Sequence, residues 1–207
     1  MNHKVSSVSD LYADAKNLYD NCVVGSSMSS ADSLLSYLEN GINNLKENWK
    51  GIDAGVQINS VIRIYNSTVE VRNALAQLAV DSSKIAAHYR AIQAANSNAI
   101  DELTPITFEE KGLMSEYEDT QDVIDITIDT LNGKANIDTV VNTLDDFKSA
   151  VQSVYGRIMD NWTVGSGRDE AVAAFEGFSS HVAEYQIVLT AVSNNIAQSL
   201  RNYGLLQ

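Results

Sequence analysis

Three sets of residues could do chemistry, and spacing decides among them. Asp122, Asp125 and Asp129 step by three and four, which on a helix would bring three carboxylates to one face. Such a face could bind a cation or share a proton. Glu116, Glu118 and Asp119 stand just before it, and a solvated acidic face is the plainer account. A calcium loop does not fit beyond Asp129, because Leu131 and Gly133 stand where oxygen ligands belong. His3, His88 and His181 are scattered, with no HExxH-type spacing, and the latter two read as surface histidines. Cys22 is the only cysteine, so an internal disulfide and a Cys-based metal site are excluded, and it lacks the local signature of an activated thiolate. No GxSxG elbow is present. The stretch GSGR at 165–168 could cradle a phosphate before a helix, but no Lys-Ser/Thr pair follows. No cofactor and no metal are expected, and enzyme function is the least supported reading.

The elements that carry these residues are helices. The 207 residues include one proline, which suits long uninterrupted helices. Hydrophobic residues make up 44% and charged residues 20%, a globular composition. With 14 Lys+Arg against 27 Asp+Glu the formal net charge is −13, and no basic stripe offsets it, so a nucleic-acid partner is not expected. No apolar run reaches the roughly 20 residues needed to span a membrane. MNHKVSSVSD lacks the apolar segment of a secretory signal peptide. On composition alone the chain would be cytoplasmic; any export must use a route without a cleaved signal.

The sequence also repeats itself. Trp49 in LKENWKGIDAG and Trp162 in IMDNWTVGSG each follow Asn and precede a glycine-rich stretch. Upstream, Asp32 in SSADSLLSYLEN aligns with Asp138 in ANIDTVVNTLDD at an offset of 106, against 113 for the tryptophans. The difference of seven is two helical turns, which keeps a heptad-patterned face in place. Leu34, Leu38, Ile42, Leu45 and Trp49 form one stripe, and Ile58, Ile62, Tyr65 and Val69 resume it. In the second copy the stripe runs from Ile137 to Ile158, then from Val172 through Phe178 and Leu189 to Tyr203. Each copy reads as an antiparallel helical hairpin.

A short leader helix is expected before each hairpin, over 5–20 and 113–131. DVIDITIDTL, within the second, is rich in β-branched residues, but a lone strand would lack a partner, so helix is the reading. Pro105 marks the seam and biases Thr104 away from helix. The chain is therefore divided into a leader and first hairpin (1–96), a linker (97–112), and a leader and second hairpin (113–207). Gly51 and Gly55, and Gly165 and Gly167, would let the chain reverse between helices. A tryptophan there either plugs the turn or forms an exposed docking handle. Tyr12, Tyr19, Tyr37 and Tyr117 sit on or beside apolar faces, as wet core edges or as contact residues.

NWKGIDAG followed by VIRIY, and NWTVGSG followed by AVAAFEGF, resemble the WxG family of small helical hairpins, the early-secreted-antigen type. The resemblance covers about 29–96 and 136–203. It implies that a Trp-x-Gly turn joins two long helices and that the protein leaves a bacterium by type VII secretion. The first copy keeps the motif as Trp49, Lys50, Gly51; in the second, glycine arrives only at Gly165. Such proteins often carry an export signal after the second helix, a Tyr followed four residues later by an acid. Here Gln207 stands in that place after Tyr203, and Gln93 after Tyr89. Family hairpins pair as four-helix dimers, so two fused hairpins could build an elongated four-helix bundle within one chain, even as a monomer. The function implied is binding: a secreted substrate or partner whose contacts are the secretion ATPase, an effector or another copy. The alternative is a cytoplasmic adaptor or chaperone for a larger effector.

Overall fold

The apolar stripes become helices with few interruptions. The computed structural model describes residues 8–23, 27–95, 107–119, 124–162 and 166–207. The chain is predominantly helical: α1 (Val8–Val23), α2 (Ser27–Asn48), α3 (Ile52–Ala94), α4 (Thr130–Asn161) and α5 (Ser166–Asn202). Two short strands, β1 (Trp49–Lys50) and β2 (Asp125–Ile126), pair antiparallel, with Trp49 opposite Ile126 and Lys50 opposite Asp125. Among the described residues no helix is long and apolar enough to cross a membrane.

Four helices pack against one another: α2 on α3 and α4, and α5 on α3 and α4. The core lies between them. It holds Leu34, Leu38, Ile42 and Leu45 of α2 and the α4 stripe from Ile137 to Ile158, with Phe175, Phe178, Val182, Leu189 and Val192 of α5. Phe147 and Phe178 meet edge to face, with ring centroids 5.1 Å apart. α3 buries Val61, Ile62, Ile64, Tyr65, Thr68, Val69, Val71 and Arg72, too many positions for a single stripe. The reason is that α1 also lies along it, placing Ala15, Leu18 and Cys22 in the buried interior. α1 corresponds to the first expected leader, and its Val5 lies outside the described residues.

Contacts run in opposite senses along neighbouring helices. Between α2 and α4, the Asn48 carbonyl meets Thr130, Asn44 meets Gly133, and Gly41 faces Ile137. Between α4 and α5, Ser193 donates to Asp138, Gln186 to Asp145, and Tyr155 to Glu176. Small residues set the α2–α4 approach. A Cβ on Gly133 would lie 2.7 Å from Asn44 Oδ1 and 3.0 Å from Leu45 Cδ2.

Among the described residues of the second leader, 113–119 and 124–129 are not helical. Residues 107–119 carry no regular secondary structure, and α4 begins only at Thr130. The partner that a strand in DVIDITIDTL seemed to lack is Trp49–Lys50, 76 residues away between Trp49 and Asp125. Its β-branched residues therefore follow their strand preference where they pair. Asp125 lies in β2 and Asp129 in the turn before α4, while Asp122 falls outside the described residues, so no shared helical face forms here. Pro105 and Thr104 also lie outside the described residues.

Candidate functional site

α2 ends where two segments distant in sequence, 107–119 and 124–130, meet its C-terminus. The Asn48 carbonyl accepts the Thr127 N–H (3.0 Å) and the Thr130 hydroxyl (3.2 Å), and the Asn48 amide oxygen accepts the Thr127 hydroxyl (2.9 Å). Trp49 and Lys50 then pair with β2. Gly51 has φ 110°, a conformation that L side chains rarely adopt, so glycine is required there. Its N–H donates to Asp119 Oδ2 (2.7 Å), and its carbonyl accepts the Gly55 N–H (3.1 Å), the first bond of α3. Gly55 is an ordinary helical residue: a Cβ there would meet only the Asp119 Cβ, at 3.8 Å.

The Trp49 side chain is only 2% exposed. Its ring plugs the turn, because β2 crosses it. Trp162 differs. It caps α4 in an extended conformation (φ −119°, ψ 117°), donates its N–H to the Ile158 carbonyl (2.8 Å), and is half-buried against the core. Its carbonyl accepts Arg168 Nε at 2.7 Å. Arg168 also bonds Asp169, so the arginine of GSGR is engaged within the protein. Gly167 lies in α5, where a Cβ would come 3.0 Å from Asp81 Oδ2; close approach to α3, not chain reversal, explains it. Gly165 lies outside the described residues.

At the C-terminus Tyr203 follows the last residue of α5 and is 51% exposed. Gly204 (φ 70°) ends the helix: its N–H bonds the Arg201 carbonyl and the Leu205 N–H bonds that of Leu200, a Schellman arrangement. Gln207 is exposed. One turn earlier, Asn195, Gln198 and Ser199 share a cleft of about 310 Å³ with Trp49, Asp53, Val56 and Gln57. The first tryptophan turn and the end of α5 thus meet at one end of the molecule. Exposed apolar residues gather there: Ile52 (70%), Val56 (58%) and Tyr203, with Ile124 and Ile128 flanking β2.

The sequence reading missed Asn59, Asn66 and Asn73 of α3. Each holds the backbone of the extended segment 107–119, and their heptad spacing was the available signal. Arg72 reinforces them by donating to the Glu109 carbonyl while pairing with Asp32 at 3.1 Å. Lys46 and Lys50 ammonium groups approach the Tyr117 ring, 5.5 and 6.0 Å from its centroid. Tyr117 and Asp119 therefore fasten this segment, a strap of residues 107–119, to the Trp49 turn.

The other candidates remain separate. His88 and His181 are exposed on α3 and α5. Burial pushes the Cys22 thiol up to about 12, so it stays protonated and unreactive at neutral pH. None of the protein-family models, curated proteins or solved structures compared with the chain matches it.

Proposed function

We propose that the chain acts by binding, as a secreted helical protein that is a substrate or secreted partner of a type VII secretion system. In this reading α2–α3 and α4–α5 are two tandem antiparallel hairpins that close one elongated four-helix bundle within a single chain. The opposed contacts between α2 and α4 and between α4 and α5 support it. So does the Trp49-Lys50-Gly51 turn, whose glycine has the positive φ that the motif's short reversal needs.

One observation carries the functional part. Two features far apart in sequence, the Trp-x-Gly turn and the end of α5 that leads into Tyr203–Gln207, share one cleft. The exposed apolar residues beside it form a surface suited to a protein partner, the secretion ATPase or a co-exported chain. Buried Trp49 shapes that surface from beneath. Localisation follows as export without a cleaved signal. The second reading is a cytoplasmic adaptor for a larger effector; Gln207 favours it, because the acid of the export signal is missing after Tyr203.

The surface is tested by Ile52→Asp with Val56→Asp. Both side chains are exposed; the acid at 52 suits the helix dipole, whereas the acid at 56 lies one turn beyond Asp53 and the new Asp, so stability should stay within about 1 kcal/mol of wild type. Extracellular protein should fall by about tenfold, the effect of losing roughly 1.4 kcal/mol of contact. Wild-type export of this folded double variant would remove the docking face from the account.

A further inference from the structure

Each of three α3 asparagines grips both backbone groups of one residue in the extended segment. Asn59 donates to the Tyr117 carbonyl (3.0 Å) and accepts the Tyr117 N–H (2.7 Å). Asn66 does the same to Met114 (2.9 and 2.8 Å), and Asn73 to Lys111 (2.9 and 3.0 Å). The two periods match. Seven helical residues advance about 10.5 Å, and three residues of extended chain about 9–10 Å. Burial in the segment follows the same period: Phe108, Lys111, Met114 and Tyr117 are half-buried, and the residues between those four are exposed.

No residue of 107–119 is fully buried, and the six asparagine bonds read main chain alone. The segment is therefore seated as a peptide on a receptor, held by backbone bonds, a side chain at every third position and, at its end, Asp119 on the Gly51 N–H. Beside it a cleft of about 680 Å³ remains between α3 and α5, lined by Val69, Ala74 and Ala171 together with Glu70 and Glu170, with Leu113 of the strap at its edge. Leu113 is 61% exposed, so the receptor face extends past what the strap fills.

We propose that this face of α3 is a binding site for an extended polypeptide, occupied in cis by residues 107–119 and able to accept the same segment from a second copy of the chain. The ligand chemistry is specific: free N–H and C=O groups at every third residue, with long or aromatic side chains there. A tethered strap competes at an effective concentration on the order of millimolar, so trans binding follows its local release. Reciprocal exchange of straps between two chains gives a symmetric dimer.

The test weakens the strap without altering its receptor. Met114→Pro keeps an extended backbone but removes the N–H that Asn66 accepts. A fluorescein-labelled peptide of residues 107–119 should bind the full-length Met114→Pro chain at least about tenfold more tightly than the wild-type chain, as expected for one lost bond. The same peptide carrying the proline should bind about tenfold more weakly. Adding Asn59→Ala, Asn66→Ala and Asn73→Ala to the Met114→Pro chain should abolish binding. A folded Met114→Pro chain that ignores the peptide, or equal binding by the asparagine-free chain, would overturn the proposal. Amide exchange on the wild-type protein decides independently of any variant. The Lys111, Met114 and Tyr117 amides should exchange at least about 100-fold faster than the buried α3 amides, through local release. Exchange as slow as the slowest α3 amides would make the strap a fixed part of the fold and end the proposal.

Discussion

Trp49→Ala should lower the unfolding free energy by about 3–5 kcal/mol, the range for deleting a large buried aromatic ring. For a chain of this size that is roughly 6–20 °C in Tm. The ring is 2% exposed and stands where the end of α2, β2 and the start of α3 converge, so its loss leaves a cavity at a three-way junction. The backbone bonds of Asn48 and Gly51 need no indole, so the native helical signal before the melt should be largely retained. Trp162→Ala is the internal comparison. Its ring is half-buried at the end of α4, so about 1–2 kcal/mol is the expected loss. Thermal melts followed by circular dichroism separate the two. A Trp49→Ala protein as stable as Trp162→Ala would mean that the first tryptophan is not a plug.

The same junction shows how far the sequence could be read. Helix-period stripes were legible because each of α2, α4 and α5 buries one face: the residues at steps of three and four from Ile137 to Ile158 are the buried ones. The tryptophan turn was legible as a turn, with Gly51 as its conformational requirement. Whether its ring was covered could not be read, because the cover comes from residues 124–130. That pairing is long-range. The strand's partner is a two-residue interruption between helices, and no periodicity announces it. The asparagine ladder failed to register for a related reason. Asn59, Asn66 and Asn73 are visible at heptad spacing, but polar residues so placed on a helix ordinarily face water. Only an extended neighbour gives them a task, and the sequence reading divided that neighbour between a linker up to 112 and a helix from 113. Of the two readings of the tryptophan, plug or exposed handle, burial fits the plug for Trp49, and the exposed apolar side chains at this end are Ile52, Val56 and Tyr203.

A second pair of substitutions should act with opposite signs. Alanine is the best helix former, so Gly→Ala inside a helix ordinarily stabilises by about 1 kcal/mol. Gly156→Ala should do so, because nothing lies within 4 Å of the added Cβ on α4. Gly133→Ala, on the same helix, should instead destabilise by about 1–3 kcal/mol through overpacking. Its Cβ would lie 2.7 Å from Asn44 Oδ1 and 3.0 Å from Leu45 Cδ2, forcing the Asn44 amide and the Leu45 side chain to shift. That shift also strains the bond from the Gly133 N–H to Asn44 Oδ1 (2.9 Å). Denaturant melts of the two variants read the difference directly. Stabilisation by both would show that α2 and α4 do not meet as closely as the Gly41 and Gly133 contacts require.

Stability experiments test the frame; the proposed function is that this frame travels through a type VII apparatus to bind a partner. The most direct measurement is the amount of the protein in the culture medium of the producing bacterium with and without its type VII ATPase, with a cytoplasmic protein followed as a lysis control. The account predicts that extracellular protein disappears in the ATPase-deletion strain and accumulates inside the cells. Undiminished protein in the medium of that strain would contradict it.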